Sequence, residues 1–207
     1  MATFDEEKIC KALPYAHIEV HSQIHSTNDR AIELIRQTAL NSPAVIIAES
    51  QTKGRGQRNR KWWSGAGSLT FSYVTSIPEK QTETQPIAPP GLISLASALA
   101  VSNALRSIEP TQKFEIKWPN DVMLDQSKIA GILVESVPAD TNRFMVIGIG
   151  ANINNSNMPA LHDMDDRRAS QEKTTATSLV QVSGKSASLS ETLIKILIEL
   201  KKQITVA

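Results

Sequence analysis

Between residues 18 and 24 the apolar side chains alternate with polar ones (Ile18, Val20 and Ile24, interrupted by Ser22), a period of two that predicts a strand. Ser26-Thr27-Asn28 follows, and then Ala31, Ile32, Leu34 and Ile35 recur at helical spacing, so the polar triplet reads as a helix N-cap. After Pro43, the wholly apolar run Ala44 to Ala48 predicts a buried strand, and Ser68 to Thr75 predicts another. Residues 78 to 90, with Pro78, Pro86, Pro89 and Pro90, predict an irregular connection. Leu92 to Ile108 is apolar nearly all round, the pattern of a buried helix. Three β-type runs come next, over 114–118, 128–137 and 144–152, divided by Pro119-Asn120 and by Asp140-Thr141-Asn142. Links this short require antiparallel pairing, because parallel neighbours need a crossover of about a dozen residues. The polar stretch 155 to 175 is expected to be mobile or ordered by a ligand. At the end, Leu193, Ile196, Leu197 and Leu200 share one face of a helix over 189–204. The pattern as a whole predicts an α+β fold, one mostly antiparallel mixed β-sheet flanked by helices.

The 207 residues suit one large domain, and 41% apolar with 21% charged residues is ordinary for a globular protein. No apolar run approaches the roughly 18 residues that span a bilayer, so no membrane partner is expected. Cys10, the single cysteine, excludes an internal disulfide and makes a Cys-rich zinc site implausible; it reads as a packing residue. The acidic N-terminus lacks the basic-then-apolar order of a secretory signal, and a cytoplasmic location is expected. His17, His21 and His25 recur every four residues, but the strand reading scatters them, and with His162 they give no metal-binding spacing.

Charge changes this picture at one place. Residues 53–61 hold five cations (Lys53, Arg55, Arg58, Arg60 and Lys61), two glycines and no acid, in a chain whose net charge is only +1. A local cluster of this kind suits a small anion better than a coat for nucleic acid. Gly54 and Gly56 can take backbone angles closed to other residues and turn N–H groups inward, while the arginines supply forked donors for carboxylate or phosphate.

Four more segments complete the chemistry: Ser26-Thr27-Asn28, Lys117-Trp118-Pro119-Asn120-Asp121, Lys128-Ile129-Ala130-Gly131-Ile132-Leu133-Val134-Glu135, and Gly148-Ile149-Gly150-Ala151-Asn152-Ile153-Asn154. Taken together with the basic loop, and in this order, they resemble the catalytic domain of biotin protein ligases over roughly residues 15 to 200. The resemblance implies a ligase fold like that of class II aminoacyl-tRNA synthetases. It implies formation of biotinyl-5'-AMP from biotin and ATP, with Mg²⁺ carried by the ATP rather than by protein side chains, and then transfer of biotin to a lysine of a carboxylase biotin carrier domain. Residue by residue, it assigns Ser26, Thr27, Asn28, Gln51, Arg55, Gly56, Gln57, Lys128 and Gly131 to biotin. To ATP or the adenylate it assigns Arg58, Arg60, Trp62, Asn120, Lys128 and Asn152. Lys128, Arg55 and Asp121 are the catalytic candidates, with Asp121 as acceptor of the proton from the incoming lysine. Trp63 and Trp118 read as core or rim aromatics.

The loop departs from the family pattern Gly-Arg-Gly-Arg-Arg-Gly-Arg at Gln57 and Asn59, which removes one cation and one glycine. The expectation is a single catalytic domain, without the helix-turn-helix or the β-barrel-like domain of some relatives, no DNA partner, and room for a homodimer. A lipoate or other acyl ligase of the same superfamily and a non-catalytic biotin or biotinyl-adenylate module are the rival readings.

Overall fold

The computed structural model describes residues 3–37, 40, 42–78, 88–139, 142–156 and 175–206. Seven strands, β1 (His17–His21), β2 (Ala44–Ala48), β3 (Ser68–Pro78), β4 (Phe114–Lys117), β5 (Asp121–Leu124), β6 (Ser127–Ala139) and β7 (Asn142–Asn152), form one sheet in the order β1-β2-β3-β7-β6-β5-β4. Among the described strands β1 and β2 pair in parallel, joined through helix α2 (Thr27–Arg36), and every other neighbouring pair is antiparallel. The remaining helices are α1 (Glu6–Ala12), α3 (Pro90–Ile108), α4 (Leu179–Ser183) and α5 (Leu189–Val206). This is the predicted α+β architecture.

Several expectations need correction. Pro119-Asn120 is the tip of a hairpin, and its second arm, β5, is too short at four residues to show a period in the sequence. Helices α1 and α4 are also short; Asp5 caps the first by accepting from Lys8 N at 3.0 Å, and a Ser178–Gln181 capping box opens the second. Cys10 is exposed rather than packed, because α1 turns Ile9 inward and its neighbour outward. Helix α3 is, by length and composition, long enough to cross a bilayer, contrary to the reading that no run approached that length, but half of it is buried against the sheet and α5. His17 and His21 are not scattered: residues i, i+2 and i+4 of a strand share a face, and both rings meet Glu19, at 3.5 and 2.9 Å. Among the described residues no group of three His, Cys, Asp or Glu could hold a metal ion. The predicted connection at 78–90 (its residues 79–87), the turn at 140–141 and the polar stretch at 157–174 with His162 lie outside the described residues.

The sheet's two faces differ in character. One carries Val45, Ile47, Leu69, Phe71, Ile129, Ala130, Ile132, Met145, Ile147 and Ile149 into the main core beneath α3 and α5. The other is apolar only at one end, where Ala44, Ile46, Val74, Val137 and Val146 meet Ala31, Leu34 and Ile35 of α2. Toward its other end that second face turns small and polar, and the site lies there.

Candidate functional site

Strand register builds the floor. Residues in register project to the same side of a sheet, so Ala48, Thr70, Gly150, Gly131 and Asp121 form one row across five strands, with Ile46, Ser72, Gly148 and Leu133 in the row beside it. Missing side chains along these rows leave a trough, which the second-face side chains enter. A Cβ on Gly150 would lie 2.2 Å from the Trp62 ring, one on Gly148 2.3 Å from Asn28 Oδ1, and one on Gly131 3.0 Å from Lys128 Nζ.

Lys128 reaches this face through an irregularity. Asp121 pairs with Gly131 and Val122 with Ala130, but Met123 pairs with Lys128, so Ile129 is an extra residue on β6. Ile129 and Ala130 both point into the core, and the bulge flips Lys128 to the side of Gly131 and Asp121. There Lys128 Nζ lies 2.7 Å from Asp121 Oδ1 and 5.6 Å from the Trp62 ring centroid. The ion pair lies off the hydrogen-bond axis, and Asp121 Oδ1 keeps no hydrogen-bond partner among the described residues. The segment after the undescribed stretch flanks this strand: Lys128 N donates to Thr175 O at 2.7 Å, and Asn152 Nδ2 donates to Thr177 O at 3.1 Å.

The basic loop closes over the same face. Trp62 N donates to Gly54 O at 2.9 Å and Gly56 N to Arg60 O at 2.7 Å, zipping the loop's base. Neither glycine adopts a positive φ, contrary to expectation. Gly54 is required by crowding instead, since a Cβ would stand 2.3 Å from Trp62 O. The left-handed residue of the loop is Arg58 (φ 58°). Arg58 and Arg60 are exposed, whereas Trp62 is partly covered and its buried indole N–H has no hydrogen-bond partner among the described residues. Trp63 packs over Gly65, and Trp118 is 76% exposed at the hairpin tip, so the first is a packing aromatic and the second lies on the rim.

At the trough's other end Ser26 caps α2, accepting from Asp29 N at 3.4 Å, and Ser26, Thr27 and Asn28 are all buried. Gln51 Oε1 accepts from Thr27 N at 2.8 Å, tying the start of the loop to the helix. Asn120 uses its amide locally, donating to Ile132 O at 3.0 Å. Arg55 is committed too: its two terminal nitrogens donate to both oxygens of Glu135 at 3.0 and 2.7 Å, and Asp29 stands 2.7 Å away. These carboxylates push the Arg55 pKa up, chiefly through the Glu135 hydrogen bonds. The structure therefore gathers Ser26, Thr27, Asn28, Gln51, Arg55, Trp62, Asp121, Lys128 and Gly131 on one sheet face. Sequence reasoning passed over Asp29, Ser72, Gly148, Gly150 and Glu135 as site residues. For Glu135 the signal was a lone acid at the end of an apolar β run.

The family model described as the biotin/lipoate A/B protein ligase family matches residues 20–152, well over half of the chain. The chain belongs to this family. The bifunctional ligase/repressor BirA of Bacillus subtilis is 31% identical over 169 residues, which cover 81% of this chain and 47% of that protein. The biotin–[acetyl-CoA-carboxylase] ligase of Mycobacterium tuberculosis is 32% identical over 141 residues, 67% of this chain and 50% of the relative. Biotin protein ligase from Aquifex aeolicus, solved in complex with biotin and ATP, superimposes with a TM-score of 0.71 at 29% identity, covering 91% of this chain and 70% of that one. The chain spans about half the length of the curated relatives it matches. The ligase fold that the motifs implied is thus the fold of this family member.

Proposed function

We propose that this chain is a biotin protein ligase, joining biotin to ATP as biotinyl-5'-AMP and passing the biotinyl group to a lysine of a carboxylase carrier domain. The observation that carries the reading is the meeting of Trp62, from the cationic loop, with Lys128 over the Gly131–Gly150 floor. A binding site for an acyl adenylate needs a trough with a few fixed polar groups and a cation where charge gathers. The glycine floor, the buried Thr27, Asn28 and Ser72, and Lys128 support that reading.

In the first step a carboxylate oxygen of biotin bonds to the α-phosphorus of ATP, the bond to the β-phosphate bridging oxygen breaks, and pyrophosphate leaves. Both reactants are anions. Lys128, with the exposed Arg58 and Arg60, would offset their repulsion and hold them in line. Mg²⁺ would arrive on the triphosphate. The Trp62 ring would offer the adenylate a stacking surface. In the second step the acceptor amine attacks the acyl carbon, AMP departs, and Asp121, beside Lys128, would take the amine's proton. The trough end lined by Thr27, Asn28 and Ser72 supplies donors and acceptors for the ureido ring.

The test is pyrophosphate release with ATP and Mg²⁺, comparing biotin with lipoate, followed by mass measurement of an added biotin carrier domain. Release that requires biotin and a mass gain of one biotinyl group are expected. Release with lipoate alone, or none with either, would overturn the reading.

A further inference from the structure

Glu135 does more than balance a charge. It is the sole acid on the second face of β6, which otherwise carries Lys128, Gly131, Leu133, Val137 and Ala139. Its Oε2 accepts from Asn28 Nδ2 at 2.7 Å as well as from Arg55, so one carboxylate ties together the basic loop, the first turn of α2 and the middle of the sheet. The consequence for Asn28 is directional. With its nitrogen held by Glu135 and its Oδ1 2.5 Å from Ser72 Oγ, the carboxamide has a single orientation over Gly148. The consequence for Arg55 is that its fork stays on the protein's own carboxylates.

We infer that Glu135 is a positioning residue: its carboxylate struts the cationic loop onto the sheet through Arg55 and fixes the Asn28 carboxamide, so the acid-binding site is assembled before a ligand arrives. A bidentate guanidinium–carboxylate pair suits this role because its planar fork fixes direction as well as distance, which a lysine in place of Arg55 could not do. The kinetic part of the inference rests on the ligase reading, whereas the structural part does not.

Limited digestion of the full, ligand-free chain with trypsin tests the strut directly, since the loop offers cleavage sites at Lys53, Arg55, Arg58, Arg60 and Lys61. Glu135→Gln should be cut within 53–61 at least five-fold faster than the parent, with an unchanged urea midpoint. Arg55→Lys should behave alike, and the double variant should be no faster than either single one. In steady-state pyrophosphate release, Glu135→Gln should raise KM for biotin about ten-fold with kcat within three-fold, and Glu135→Asp should recover part of the loss. Loop cleavage at the parental rate in both single variants, or a kcat loss with KM unchanged, would overturn the inference. A parent chain with no biotin-dependent release would instead refute the ligase reading, and the digestion would still decide the strut.

Discussion

The Lys128 ammonium stands 2.7 Å from Asp121 Oδ1 on the glycine-floored face, and it gets there because β6 carries one residue more than β5 across the Val122–Met123 step. The bulge therefore sets the chemistry: without it Lys128 would alternate into the core. Lys128→Met removes the cation beside Asp121 and, on the proposed reaction, should lower biotin-dependent pyrophosphate release by about 100-fold or more. Asp121→Asn keeps the ammonium but removes the proposed proton acceptor. It should slow transfer to the carrier lysine more than it slows adenylation, as single-turnover measurements of the two steps would reveal.

Gly148 and Gly150 floor the trough only as long as they lack a side chain. Alanine at either would put a carbon 2.3 Å from Asn28 Oδ1 or 2.2 Å from the Trp62 ring, contacts that force the sheet or the loop to shift. Each substitution should lower unfolding stability by about 1–3 kcal/mol and weaken biotin binding. Gly91, in the first turn of α3 with nothing within 4 Å of its would-be Cβ, is the control. Its replacement by alanine should raise stability by up to about 1 kcal/mol in urea titrations.

Much of this was legible in the sequence because strand and helix periods report which residues face a core. The buried runs of β2, β3 and β7, the α2 cap at Ser26 and the face of α5 built on Leu193, Ile196, Leu197 and Leu200 all followed from spacing. β5 and α4 escaped because four or five residues do not define a period. The site was legible as a set of segments but not as a set of contacts. Nothing local says that Glu135 meets an arginine eighty positions away, or that Trp62 lies on Gly150, since register across β3, β7 and β6 decides both. The loop glycines show the reverse error: a sequence invites an argument from backbone freedom, whereas Gly54 is held by the approach of Trp62 O.

Gln57 begins the short helical turn Gln57–Asn59 of the loop. A glutamine there offers neutral hydrogen bonds worth about 1 kcal/mol, against about 1.5–3 for a charged donor on a phosphate. Gln57→Arg should slow escape of the adenylate from the site several-fold while leaving its rate of formation within two-fold. Release followed by rapid filtration after one turnover measures this, and an unchanged release rate would exclude a part for position 57 in retention.

Glu19 ties β1 to α2 and gives the fold a calculable acid sensitivity. Arg30 Nε and Nη2 each lie 3.0 Å from its oxygens, with His21 at 2.9 Å, and these hydrogen bonds, Arg30's foremost, bring its pKa from 4.5 down to about 2. Because the folded value lies below the unfolded one, the unfolded chain binds a proton first as pH falls. The pair's contribution is therefore complete above about pH 4.5 and is lost progressively toward pH 2. Solvent screening at this partly covered site brings the contribution to about 1 kcal/mol. Arg30→Met, which removes the main cause of the shift, should be less stable than the parent by that amount at pH 6, and the two should converge as pH approaches 2. Urea unfolding at half-unit steps measures the difference; a gap that persists undiminished at pH 2 would assign the loss to packing of the Arg30 stem rather than to the ion pair.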